Sequence, residues 1–226
     1  SVVISTSADA ALGIIDARTA GDRSGDTLVD QSDWGNLGLF IIGTISDAGS
    51  TAINAYANEL AFIADRMASA GNPLEIEAST LAGTAAAGVF IVEASALEIN
   101  SASATTATIN AALDGYGSAV VNAVDVTTTS NGPIVLRLLS GNLTLNDGTD
   151  ANGNAVVAHG SGSVRLETTV GAVIANADVR SNSGLIMLEA ATDLELTGNV
   201  DVITAADVSL DAVTGALTMN GTANVE

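Results

Sequence analysis

From residue 71 onward the chain alternates apolar and polar residues in short stretches separated by corners of small residues. In GLIMLEAATDLELTGNVDV (184–202), Ile186-Met187-Leu188 and Leu194-Glu195-Leu196 are two such stretches. VSL at 208–210 and LTM at 217–219 repeat them one interval later. Successive side chains of a strand point to opposite faces. Residues 186, 188, 194, 196, 208, 210, 217 and 219 are therefore expected inward, and Met187, Glu195, Ser209 and Thr218 outward.

Extended along the chain, the second stretch begins at Leu74, Leu97, Val120, Leu143, Val173, Leu194 and Leu217, at steps of 23, 23, 23, 30, 21 and 23 residues. The first begins at Phe90, Ile134, Val164, Ile186 and Val208, at steps of 44, 30, 22 and 22. Both series lengthen across 143–164, where an insertion of about eight residues restores them together. A period near 22 with two or three short strands per period predicts an all-β parallel β-helix, a solenoid in which each turn is one rung. About ten rungs are expected in one continuous segment over 1–226, less regular over 1–70 and regular over 71–226. Loop insertions fall near 16–36 and 146–162.

Two tests concern the less regular parts. Over 46–73, Ile53, Ala57, Leu60, Ala64 and Met67 have helical spacing, with Ser50 as a cap and Gly71-Asn72-Pro73 as a stop. The competing reading, a rung with Leu60 and Phe62 inward, is preferred because Leu74 enters the series immediately afterwards. If the sequence is copied head to tail, 22 residues after Val208 falls on Ile4 and 23 after Leu217 falls on Ile14. Both series then continue into a further copy, which predicts homotypic end-to-end stacking.

Composition narrows the class. Aromatic residues are 3% of the chain against 47% hydrophobic. The small and β-branched residues that dominate suit narrow stacked strands. All 6 basic residues are Arg, against 26 acidic ones, for a net charge of −20. Such a chain cannot neutralise rows of phosphates, so nucleic acid and anionic membranes are not expected partners. Cysteine is absent, which excludes disulfides and thiolate metal sites. No apolar run reaches the roughly 20 residues of a membrane span, so membrane insertion is not expected. The chain opens on Ser1 without an initiating Met or a basic-then-apolar signal segment, as expected of a processed chain or an excised piece.

GNPLEIEASTLAG (71–83), GVFIVEASALEINS (88–101), GLIMLEAATDLELTGNV (184–200) and VSLDAVTGALTMNGTA (208–223) resemble the repeats of giant bacterial surface proteins of the filamentous haemagglutinin kind. The resemblance is one of style and spacing, covers most of the chain and is best from 71 onward. It implies a right-handed parallel β-helix at the bacterial cell surface or outside the cell, with an adhesive or structural role and no catalytic residues.

Candidate chemistry changes this picture little. His159 stands beside Ser161 and Ser163 in HGSGS, but this is not a nucleophile elbow. One His cannot build a zinc site. Pectin-cleaving enzymes share the architecture, yet the chain has no Lys, and only Arg137 and Arg165 could line an outward groove. An enzyme is therefore not expected. Calcium is the one cofactor with candidate ligands: Asp147, Asp150, Asn152 and Asn154 in DGTDANGN offer hard oxygens in a glycine-rich loop. The competing reading is an exposed turn, for which Asn, Asp and Gly are suited in any case. Asp22, Asp26, Asp30 and Asp33 form a second such group. Glu93, Arg137, Glu167, Glu189 and Asp211 are expected to stack as one outward column. Asn100, Asn146, Asn176 and Asn220 are expected to bond along the coil or to close local turns. Trp34 is either a ligand-stacking ring or a buried anchor beside an insertion. The leading expectation is a structural or adhesive segment of an extracellular fibre or giant adhesin. A non-covalent self-assembling filament subunit and a carbohydrate-binding or carbohydrate-cleaving β-helix are the alternatives. A cell surface or a polysaccharide is the expected outside partner.

Overall fold

Alternation turns into layers only if each strand finds its counterpart in register. A computed structural model describes residues 1–24, 30–49, 52–109 and 116–226, and in it this condition holds along the chain. The chain is all-β, with a largely parallel sheet wrapped almost closed around one apolar core. Helical structure among the described residues is limited to a short helix at Ala20–Arg23 and a 3-10 turn at Gln31–Asp33.

Three ladders of parallel pairing organise residues 71–226. The first stacks Val89–Glu93, Ile134–Leu138, Val164–Thr168, Ile186–Ala190 and Val208–Ala212. The second stacks Leu97–Ile99, Leu143–Leu145, Val173–Ala175, Leu194–Leu196 and Leu217–Met219. The third stacks residues 83–85 of the strand Leu74–Ala85, then Val126–Thr128, Asn154–Ala158, Asp178–Ser181, Asp201–Ile203 and Asn224–Val225. Three longer strands bend through corners: Leu37–Asp47 pairs in parallel with Ala55–Met67, and Ala55–Met67 with Leu74–Ala85; Leu37–Asp47 also pairs with Val2–Thr6 and Ala10–Leu12.

One column of register partners runs unbroken through every rung: Ile4, Leu39, Phe62, Gly83, Val126, Val156, Val179, Val202 and Val225. Gly83 is required by its neighbour, because a Cβ there would enter the Phe62 ring. The corners are built from small residues and hydroxyls. A Cβ on Gly162 or Gly184 would press on the carbonyl of the glycine one rung away, at 132 or 162. Thr128 Oγ1 donates to Gly132 O (2.8 Å), Ser181 Oγ to Gly162 O (2.8 Å) and Thr204 Oγ1 to Gly184 O (2.6 Å). These buried hydroxyls satisfy carbonyls that a turning backbone leaves outside the ladders.

Several sequence expectations are met. Ile186, Leu188, Leu194 and Leu196 are buried, while Met187 is exposed. Within 46–73 the chain forms the strand Ala55–Met67 and not a helix, with Leu60 and Phe62 fully buried; the proposed cap Ser50 lies outside the described residues. The helical spacing of Ala57, Leu60, Ala64 and Met67 has a physical origin, since all four are buried. The bending strand changes phase at its corners, so steps of three interrupt the steps of two.

The register corrects other expectations. Val89, not Phe90, faces inward opposite Ile134, so the first series is offset by one residue at that rung. Leu74 stacks on Ile91 of the first ladder, and Leu81 on Ile99 of the second. Val120 belongs to neither ladder. It lies in an antiparallel hairpin, Ser101–Ile109 with Tyr116–Val124, and is exposed. Leu97 therefore stacks directly on Leu143, and the two steps of 23 between them are one rung plus a hairpin of nearly rung length. The hairpin leaves and rejoins the coil at one point, where Asp125 N donates to Asn100 O (3.0 Å). It lies over outward small residues: Ala102 and Val121 pack on Ala61 and Ala82, and a Cβ on Gly38 would meet Val121 at 2.8 Å.

The insertion near 146–162 is confined to 146–153, because Asn154–Ala158 is a regular strand of the third ladder. Ile14 is exposed and outside the strands, and Ile4 packs against the core in the third ladder and not in the first with Val208, so neither head-to-tail match keeps its ladder. On the last rung Leu217 and Met219 keep their inward register but are 47% and 45% exposed, since no rung covers them.

Candidate functional site

The residues with functional chemistry gather in three places around the coil. The first is the insertion at 146–153. Asp147 and Asp150 come within 4.8 Å of each other and of Asp125, which sequence reasoning did not include. Asp125 is held at φ +58 where the hairpin hands over to the third ladder, and it is 2% exposed. Asn152 presents its amide nitrogen to the acids, donating to Asp150 Oδ2 (2.6 Å) and Asp125 Oδ2 (3.3 Å). Its Oδ1 accepts from the backbone and side-chain nitrogens of Asn154 (2.7 and 2.8 Å). Asp147 Oδ1 and Asn154 Oδ1 are buried without a hydrogen-bond partner. Burial, followed by the charge of Asp150, raises the Asp125 pKa to about 6, against the pull of hydrogen bonds from Asn152 and the Gly148 amide. Converging carboxylates with unsatisfied oxygens suit a hard divalent cation, which would relieve their repulsion. Of the four residues expected as ligands, Asp147 and Asp150 are in the cluster, Asn152 braces it through nitrogen, and Asn154 stands behind Asn152.

The second acidic group does not converge among the described residues. Asp22 Oδ2 accepts from Trp34 Nε1 (2.6 Å) and Thr19 Oγ1 (2.8 Å). Asp30 caps the 3-10 turn through Ser32. Asp26 lies outside the described residues. Trp34 is the buried anchor of the insertion: 4% exposed, it meets Tyr56 edge to face at 6.2 Å. Arg18 lies 3.7 Å over the Tyr56 ring and pairs with Asp16 (2.7 Å), whose carboxyl it holds below its ordinary pKa.

The outward face of the first ladder is the second place. Arg137, Glu167, Glu189 and Asp211 are register partners, as expected from the sequence. Arg137 Nε lies 3.3 Å from Glu167, and Arg165 Nη2 lies 3.0 Å from Glu167 and 3.8 Å from Glu189. Glu93 departs from that column. Val92 takes its outward position, and Glu93 is fully buried. Its carboxylate accepts from the amides of Ala78 and Ser95 and from Ser95 Oγ (3.0 Å), and burial pushes its pKa well above the ordinary 4.5.

The asparagines form the third place. Asn176 Nδ2 donates to Asn146 Oδ1 (2.8 Å), Asn146 Nδ2 to Glu98 (2.5 Å), and Thr197 Oγ1 to Asn176 Oδ1 (2.6 Å). Asn100 joins through Glu98 (2.7 Å). The expected bonding along the coil is thus present around Asn146 and Asn176, with Glu98 and Thr197 as members that the Asn spacing does not reveal.

No family model, no curated protein and no solved structure matches this chain. The function is therefore argued from these residues and their arrangement. No described helix is long and apolar enough to cross a membrane.

Proposed function

We propose that the chain is a right-handed parallel β-helix serving as a stiff structural or adhesive segment of an extracellular bacterial fibre or giant surface adhesin. The observation that carries this reading is the unbroken column of nine register partners from Ile4 to Val225. At about 4.8 Å per step such a column makes a rod about 40 Å long. Every residue added at a corner goes outward and leaves the stack intact. The mechanism is mechanical. Parallel ladders bear load along the axis, and each rung buries the next, with about 1.5–3 kcal/mol for each fully covered aliphatic side chain. The resemblance to repeats of the filamentous haemagglutinin kind supports the same assignment.

Half-exposed Leu217 and Met219 support end-to-end stacking, since a further rung, of the same polypeptide or of another copy, would cover them. The second form is the self-assembling filament subunit. Calcium belongs to the proposal at Asp125, Asp147 and Asp150, where it would tie the hairpin exit to the 146–153 loop.

Electron microscopy of the 226-residue chain, with millimolar calcium and with chelator, tests both parts. Unbranched filaments with a repeat near 40 Å are expected if copies stack. Discrete rods of that length in both conditions would exclude self-assembly and leave a segment of a longer covalent fibre. Compact particles without an axial repeat would overturn the rod. Calcium is expected to raise the melting temperature of the wild type and not of Asp125→Asn, by linkage of binding to folding. An equal rise in both would remove calcium from this site.

A further inference from the structure

The outward positions of the first ladder begin with the wrong chemistry for a solvated face. Later rungs place Arg165, Glu167, Glu189, Ser209 and Asp211 there, with Met187 as their one apolar residue, whereas the first two place Phe90, Val92 and Val135. These three apolar side chains floor a groove of about 560 Å³, walled on one side by Pro73 from the corner that precedes Leu74–Ala85. Arg137, Arg165 and Glu167 line the same groove. In a chain of net charge −20 with six basic residues, two guanidiniums at one apolar depression need an explanation.

Their pairing is unequal. Arg165 is shared between Glu167 and Glu189. Arg137 meets Glu167 with Nε as its closest nitrogen, at 3.3 Å, and its side chain is 52% exposed. Neither Nη of Arg137 donates a hydrogen bond among the described residues. A guanidinium with its end nitrogens open presents a fork that matches a carboxylate in two parallel hydrogen bonds. The groove volume lies in the range of small-molecule sites, which combine an apolar lining with a few polar groups that fix orientation.

We propose that this groove binds a small organic monoanion, a carboxylate carried on a ring-sized apolar body. The carboxylate lies on Arg137, with Glu167 holding the guanidinium in place, and the body lies on Phe90 and Val135. Charge complementarity selects the ligand: the mouth offers one unsaturated cation, so a second carboxylate on the ligand would face Glu167 and Glu189. The inference does not depend on the fibre reading, because the groove belongs to the side of the coil and not to its ends.

Calorimetric titration of the whole chain with phenylacetate and with its neutral isostere phenylacetamide tests it. Phenylacetate is expected to bind saturably with Kd on the order of 1 mM, as for a fragment of this size. The amide is expected to bind at least about tenfold more weakly. Arg137→Gln should weaken phenylacetate about tenfold, and Phe90→Ala, which removes the half-buried ring of the groove, should do the same. Arg180→Gln, which alters a cation already paired with Asp178 at 2.6 Å, should leave binding unchanged. Circular dichroism confirms that each variant is folded. Acid and amide binding alike, wild-type affinity in folded Arg137→Gln, or no saturable heat with phenylacetate would each overturn the proposal.

Discussion

Gly83 shows how tightly single residues are determined inside the coil. Phe62 is the one ring of the nine-member column, and the next rung gives way to it by having no side chain. Gly83→Ala is therefore expected to destabilise by about 1–3 kcal/mol through overpacking. Phe62→Leu in the same chain should recover much of that loss, and a double-mutant cycle by urea unfolding measures the coupling. Glu93 makes a different residue-level prediction. Burial raises its pKa in the folded state, so the fold binds its proton more tightly than the unfolded chain does. Stability is then fullest below the ordinary value of 4.5 and falls as pH rises through the raised one. Glu93→Gln removes this loss, and the variant should gain on the wild type as pH increases toward neutrality. Unfolding curves at several pH values check the sign; a wild type that gains relative to the variant over that range would contradict it.

Much of the element scale is legible in the sequence, and the exceptions have definite causes. The strands at 194–196 and 208–210 follow from alternation, and 186–188, apolar throughout, follows from its place in the repeat one interval before 208–210. Residues 97–143 mislead because the antiparallel hairpin adds almost one rung of length, so a spacing argument cannot tell excursion from circuit. A one-residue slip exchanges the faces of a strand. For that reason Phe90 and Glu93 were each expected on the side opposite to the one they occupy. The third ladder is also written in the chain, as Val156, Val179, Val202 and Val225 at intervals of 23, but its short strands alternate too briefly to stand out. At the acid cluster, Asp147 and Asp150 are legible from loop composition. Asp125 is not, because only the ladder register brings it to the loop. Since Asn100 and Asp125 are joined by a backbone hydrogen bond, residues 101–124 can be replaced by a Gly-Gly link. The shortened chain is expected to keep its strand spectrum and to lose the packing on Ala61 and Ala82 together with the hydrogen bonds of Ser101 to Thr149 and of Ser103 to Glu59 and Asn36. A collapse of the circular dichroism signal would show that the hairpin is required by the coil.

At the scale of the whole molecule, charge and shape pull in different directions. Twenty excess negative charges along a narrow coil repel one another, and the stacked Glu167, Glu189 and Asp211 concentrate that repulsion on one face. Exposed pairs such as Arg165–Glu189 offset little of it, about 0–1 kcal/mol each. Added salt screens such interactions. The melting temperature is accordingly expected to be higher at about 0.5 M sodium chloride than at about 20 mM. A fall with salt would mean that the ion pairs outweigh the repulsion. The same charge disfavours lateral contact between copies of the chain.

The closure of the hairpin on itself at Asn100 and Asp125 has a consequence beyond stability. A segment whose two ends touch can change length, sequence or even content without altering the pitch of what carries it. The coil thus keeps a fixed measure along its axis while such a port, and the 146–153 loop beside it, are free to be exchanged. Sequence change can therefore diversify what the outer surface presents without renegotiating the core.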